Sequence, residues 1–315
     1  MNNIVIYDIE TLINLFTVTF YDVNNDKYIQ FAIHDNLIDQ SDEFFTYMTY
    51  LSLNDYQMVG FNNYKFDYPV LHYILEEGRI IPKLIHDYAQ KIIDDVFSSI
   101  PSWQSYLKQI DLFRINHYNN RARTQSLKGL QINMKLEDVR DMPFSHNYMI
   151  KTKEEINEVL AYNKWDVYST YVFYLKNLER ILLRIELNKL YNIDVTNYSD
   201  VGIGETLFLK FLSEDMNIDK KILRQERTHR DNIVFKDIIL TYIKYDDARL
   251  NNLLKEFKSI VISNTKHGFK KSLLLDNEVY EFAQGGLHQC TKPGIYKSSE
   301  DIVILDIDVS LRWRN

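Results

Sequence analysis

Apolar residues recur along the chain at two spacings, and the switches between them mark its elements. Ile4-Val5-Ile6-Tyr7 is a short apolar run, and Leu15 to Tyr21 is rich in Phe, Val and Thr. After the turn cluster Asp22-Val23-Asn24-Asn25-Asp26, Lys27 to Ile33 returns as a third run. These predict three consecutive strands. Ser41 to Leu53 predicts a helix with Ser41 as its N-cap, and Gln57 to Phe61 another short strand. From Asp67, Val70, Leu71, Ile74 and Leu75 keep helical spacing up to Gly78. Gln109 to Leu112 is a candidate strand, and Ser126-Leu127-Lys128-Gly129-Leu130 opens a short helix.

The longest periodic stretch runs from Thr152 to Tyr191. Thr152 and Glu155 form a capping-box pattern, and Ile156, Val159, Leu160, Val167, Tyr171, Tyr174, Leu178, Leu182 and Ile185 continue an apolar stripe toward a break near Asn192. Ser199 to Met216 is a further candidate helix. Val279 to Phe282 and Ile302 to Ile307 are strand-like. There is no internal repeat. The main boundary is expected between Asn192 and Met216, giving regions 1–195, 196–284 and 285–315, the middle one mostly helical.

Composition adds one feature. The chain has 315 residues and a net charge of −7, but Met216 to Lys271 carries 13 Lys and Arg against 7 Asp and Glu. That local +6 leaves −13 elsewhere, as suits a protein that meets a polyanion while concentrating carboxylates in another place. A solvated helical face is the plainer alternative. No run approaches the ~20 apolar residues of a membrane span, and the opening residues lack a signal-peptide pattern. The single cysteine, Cys290, excludes an internal disulfide, so a cytoplasmic setting is expected. His288 and Cys290 read as structural, with no further ligand spaced nearby.

Four acidic residues stand where chemistry would want them. Asp8 and Glu10 end the first strand as Asp-Ile-Glu, and period-2 geometry puts both side chains on one face with Ile9 on the other. Two such carboxylates repel unless a cation lies between them, and all-oxygen sites suit Mg²⁺ or Mn²⁺. A solvated strand end is the alternative. Asp67 precedes Tyr68-Pro69, so it also reads as a helix N-cap. Asp166 lies inside the long helix, one turn after Tyr162; its plain reading is a stripe-edge carboxylate paired with Lys.

Taken together, Asp8-Ile9-Glu10, Asn62 with Phe66-Asp67, and Tyr162 with Asp166 resemble the three motifs of the DnaQ-like (DEDDy) superfamily of 3′–5′ exonucleases, over roughly residues 4–190. Asp111-Leu112-Phe113 and Ser126-Leu127-Lys128 also resemble segments of that superfamily. The resemblance implies an α/β, RNase-H-like fold: a mixed five-stranded sheet, its first three strands antiparallel, with flanking helices. It implies two Mg²⁺ (or Mn²⁺) ions for in-line displacement at phosphorus. Asp8 would bridge both ions, Glu10 and Asp166 would hold the one carrying water, and Asp67 would serve the second. Tyr162 would orient the attacking water. Thr11, Leu12, Asn62 and Phe66 would contact the 3′ strand of single-stranded DNA or a primer-template, and Lys135 would lie near the scissile phosphate. Phe66 reads equally as a core aromatic.

The tail is similar to the palm entry of family B DNA polymerases of the compact phage type. Gly285-Gly286-Leu287-His288 precedes Ile302 to Leu311, in which Asp308-Val309-Ser310-Leu311 resembles the first palm motif. Two departures stand out. Ala283 replaces the Tyr expected before the glycine pair of protein-primed members, and Arg312-Trp313 replaces Tyr-Pro. An incomplete palm, after Asp306 and Asp308, would not polymerise alone; a truncation, a frameshift product and one half of a split polymerase with a separate polymerase subunit are the alternatives. The leading expectation is a proofreading-type exonuclease on single-stranded DNA. A standalone exoribonuclease or oligonucleotidase, and a non-catalytic nucleic-acid-binding subunit, are the competing ones.

Overall fold

The computed structural model describes residues 3–94, 100, 104–120, 122–225, 231–263, 269–275, 278–283, 286–289 and 294–304. The chain divides into two compact units, Met1–Arg224 and Gln225–Asn315.

The first unit opens with β1 (Ile4–Leu12), β2 (Leu15–Asp22), β3 (Lys27–His34) and β4 (Ile38–Asp39), followed by α1 (Ser41–Leu53) and β5 (Gln57–Gly60). Next come α2 (Asp67–Glu77), α3 (Pro82–Asp94), β6 (Lys108–Asp111), α4 (Leu112–Ile115) and α5 (Leu127–Asn133). The unit continues with α6 (Lys153–Lys176), α7 (Leu178–Tyr191), α8 (Asp200–Met216) and α9 (Lys220–Gln225), whose last residue crosses the division. The strands form one mixed sheet in the order β4-β3-β2-β1-β5-β6. β1, β2, β3 and β4 pair antiparallel in succession, while β5 joins β1, and β6 joins β5, in parallel. The sheet thus has six strands rather than the expected five. The additional one is β4, two residues long, which the turn after His34 folds back onto β3.

β1 is central and sorts its residues by parity. Val5, Tyr7 and Ile9 face a cluster that contains Phe16, Phe20, Phe44, Leu71 and Ile85 and is capped by α1, α2 and α3. On the opposite face, Ile4 and Ile6 pack with Val167 and Phe173 of α6, and Leu12 packs with Ile156 and Val159 at the start of the same helix. Asp8 and Glu10 lie on that face between the two apolar clusters. β1 also runs two residues past Glu10, so the pair sits within the strand and not at its end.

α6 starts where expected. The Thr152 hydroxyl accepts from the Glu155 N–H at 3.2 Å and the Glu155 carboxylate accepts from the Thr152 N–H at 3.3 Å. Its start is tied to the β1–β2 hairpin by Asn14. The Asn14 side chain accepts the Ile150 N–H at 2.9 Å and donates to the Ile150 carbonyl at 2.8 Å. The long periodic stretch is broken earlier than expected, at Asn177. There the amide donates back to the Phe173 carbonyl and its oxygen accepts from Asn116, so the chain turns before α7 begins.

The expected line between 195 and 196 falls inside the first unit. Arg184, only 1% exposed, donates to the Tyr198 carbonyl and to Asp200 at 2.8 Å, and Asn197 bridges to Gln109 and Asp111, which holds the start of α8 to the preceding structure. The second unit holds β7 (Ile233–Val234), α10 (Phe235–Ile238), α11 (Ala248–Lys258), β8 (Val261–Ile262), β9 (Lys270–Leu275), β10 (Glu278–Ala283) and β11 (Gly286–Gln289). β7 pairs with β8, and β9, β10 and β11 form an antiparallel sheet around Phe282, whose ring meets Phe257 of α11. The region expected to be mostly helical therefore also carries strands, and the line at 284/285 cuts the β10–β11 hairpin. Ile302, Val303 and Ile304 are exposed and outside any strand. The expected palm residues Asp306, Asp308, Ser310 and Leu311, with Gly285 and Cys290, lie outside the described residues. No helix among the described residues is long and apolar enough to cross a membrane.

Candidate metal centre

Asp8 and Glu10 leave β1 toward α6, and Asp166 meets them from that helix. Each of the three offers a carboxylate oxygen within 4.8 Å of the others, a group that can hold a metal ion. Burial pushes all three carboxyls above their usual range, and the charges of their neighbours push Asp8 and Glu10 further. Such crowding of acids between two apolar clusters is unfavourable unless protons or a cation neutralise it. The donors are all oxygen, which fits a hard divalent cation.

Tyr162 stands one turn before Asp166, and its hydroxyl hydrogen-bonds the Asp166 carboxylate. Burial, together with Asp166, Glu10 and Asp8, holds the phenol firmly in its protonated form. Asp67, only 6% exposed, begins α2 and lies outside the three-residue group, yet its charge bears on both Asp8 and Glu10. β5 pairs with β1 only through Ile6, and beyond that point the Asp67 carboxylate accepts from the Ile9 backbone. Burial pushes the Asp67 carboxyl up to about 7.

Two buried amides line the centre. Asn163 of α6 donates to Asp8 Oδ2 at 2.7 Å, and Gln131 of α5 donates to Asp166 Oδ1 at 2.9 Å and to the Ser169 hydroxyl at 3.1 Å. Neither residue stands out in composition or charge. One signal does exist: Asn163 falls four residues after Val159 and four before Val167, a polar residue at the spacing of the apolar stripe. Lys128, in the first turn of α5, provides positive charge toward Glu10 and Asp166 and is ion-paired with the exposed Asp141.

The remaining expected residues are placed as follows. Asn62 adopts a left-handed conformation, φ 63°, and its N–H donates to Asp111 Oδ1 at 2.9 Å, which also accepts the Phe113 N–H at 2.9 Å. Asp111 is fully buried and its carboxyl is pushed up to about 6, against the opposing pull of Arg114. Gly60 is required just before this loop, because a Cβ there would lie 2.6 Å from Asn63 Cβ. Phe66 is half-buried and packs against the largest core cluster. Thr11 is buried, and Leu12 is wholly enclosed in the cluster at the start of α6. Lys135 is exposed, with φ 57°, just beyond α5; the lysine whose charge reaches the carboxylates is Lys128.

No protein-family model matches this chain, and no curated protein matches it.

Proposed function

We propose that the first unit is a two-metal 3′–5′ exonuclease that removes nucleotides from the 3′ ends of single-stranded DNA, of the proofreading type found beside family B polymerase sites. The observation that carries this reading is the set of Asp8, Glu10 and Asp166 oxygens within 4.8 Å of one another, with Tyr162 bonded to Asp166 from one helical turn away. Asp8, Glu10, Asp166 and Asp67 would hold two Mg²⁺ or Mn²⁺ ions. When bound, these ions would supply activation of a water and stabilisation of charge developing at phosphorus.

The chain's own residues do the rest. Tyr162 keeps its proton and donates it to Asp166, so it would orient the attacking water through its hydroxyl oxygen as an acceptor and not act as a base. Asn163 and Gln131 hold Asp8 and Asp166 in place. Asp111 fixes the backbone of Asn62, the residue that would meet the 3′ strand, and Thr11 and Leu12 would contribute through backbone atoms, since their side chains are buried. The basic stretch from Met216 to Lys271 suits a nucleic-acid substrate.

The test is digestion of 5′-labelled single-stranded DNA and RNA of one sequence with Mg²⁺ or Mn²⁺. The expected result is a ladder shortening one nucleotide at a time from the DNA 3′ end. Digestion of RNA alone would replace this reading by an exoribonuclease, and no digestion of either would overturn it.

A further inference from the structure

The carboxylates of the centre are held by amides that are themselves incompletely bonded. Asn163 and Gln131 are both 0% exposed. Each donates one N–H to a carboxylate oxygen, Asp8 Oδ2 and Asp166 Oδ1 respectively. The amide oxygens, Asn163 Oδ1 and Gln131 Oε1, are buried with no hydrogen-bond partner. A buried acceptor without a partner is a cost that folded proteins avoid. Rotating either amide would not relieve it, because the carbonyl would then face a carboxylate. The orientation of each amide is therefore set by the acid it serves.

We propose, on the reading that this centre binds metal, that Asn163 and Gln131 are positioning residues that determine which cation it accepts. The amide bonds occupy Asp8 Oδ2 and Asp166 Oδ1, so an ion that chelates both oxygens of either acid must take up an oxygen an amide already holds. A carboxylate tethered in this way is a one-oxygen ligand, since swinging to chelate through both oxygens would pull the tethered oxygen off its amide. Mg²⁺ and Mn²⁺ suit single oxygens in octahedral order, whereas Ca²⁺ takes more ligands and readily accepts two-oxygen chelation. The amides thus bias the centre toward the smaller ions. They come from separate elements, α6 and α5, so each acid is constrained independently. Gln131 is further anchored by Ser169, which in turn donates to the Trp165 carbonyl at 2.9 Å.

The test is metal binding to the full chain without substrate. Free Mn²⁺ is followed by its electron paramagnetic resonance signal, and bound Mn²⁺ is displaced by Mg²⁺ or Ca²⁺. The proteins are wild type, Asn163→Leu and Gln131→Met, which keep side-chain volume and lose the donor. Because the two positions lie on different helices, either variant carries the test if the other does not fold. Loss of a partner of this kind lowers metal affinity by roughly 10–100-fold. The expected result is that the preference for Mg²⁺ over Ca²⁺ narrows by roughly tenfold or more as Ca²⁺ gains two-oxygen chelation. Equal weakening of both ions, with the preference unchanged, would overturn the positioning role alone. A wild type that binds no Mn²⁺ would overturn the metal centre and this role with it.

Discussion

Replacing Asp8 by Asn should make the metal-free protein more stable and unresponsive to divalent cations. The oxygens of Asp8, Glu10 and Asp166 lie within 4.8 Å of one another. Two unit charges at that separation repel by about 3.5 kcal/mol at an effective dielectric near 20. The substitution removes two such pairs. Solvent at the half-buried Glu10, salt and partial protonation offset much of this, so the net gain is about 2 kcal/mol. For a unit of this size that raises the unfolding midpoint by roughly 4–8 °C. Asparagine retains an oxygen to accept from Asn163, so the bond at 2.7 Å has a replacement. Thermal unfolding followed by circular dichroism, in EDTA near pH 8 and again with saturating Mn²⁺, reads both effects. Wild type should melt below the variant in EDTA and rise on adding Mn²⁺, while the variant stays unchanged; high salt should narrow the gap. A variant less stable than wild type in EDTA, yet raised equally by Mn²⁺, would refute the reasoning.

Further outcomes follow from the same geometry. Tyr162→Phe deletes the hydroxyl bonded to Asp166 and leaves every carboxylate in place, so single-turnover DNA cleavage should slow by roughly 10–100-fold while Mn²⁺ affinity is kept; a loss as large as that of Asp8→Asn would contradict an orienting role. Burial pushes the Asp67 and Asp111 carboxyls up to about 7 and about 6, so the folded state holds these protons more tightly than the unfolded chain. Their contribution to stability is complete below about pH 4 and is lost as pH rises through about 6 and 7, and a metal-free melting series should show that decline, flattened by Mn²⁺ at its upper end. Asn14→Ala removes both bonds to the Ile150 backbone and leaves a buried N–H, which should cost about 2–4 kcal/mol in urea unfolding. A cost below about 1 kcal/mol would mean that the start of α6 is held by other contacts.

Much of the fold is legible in the chain because alternation and helical spacing coincide with burial. Asp8-Ile9-Glu10 reads as two acids on one face, and Ile9 does enter the opposite core. Thr152 with Glu155 marks the start of α6, and Gly78, φ 63°, marks the end of α2. What is not legible depends on tertiary partners. β4 has two residues and no pattern of its own. The break at Asn177 interrupts an unbroken stripe, because its cause is an amide bonded to Asn116, 61 residues away. Gln131 is uncharged and breaks no pattern, and its importance appears only once α5 is packed on α6 and α6 on β1. Lys128 and Lys135 both occupy helical or near-helical sequence, and only the fold decides which one faces the acids.

The placement of Asp8 and Glu10 between two apolar clusters also bears on how the chain behaves before it is folded. Asn163, the partner of Asp8, lies 155 residues further along. At ordinary rates of synthesis that separation is roughly 10–30 s, during which β1 has emerged and α6 has not. Throughout that interval the face of β1 that α6 will cover is open, with Ile4, Ile6 and Leu12 uncovered. An uninterrupted apolar strand face in that state is a template for pairing with another nascent chain. Two adjacent acids on that face act as gatekeepers against such pairing, since a second copy laid in register would bring like charges together. Two acids that can hold a metal ion in the finished molecule thereby protect the strand that carries them until its covering helix arrives.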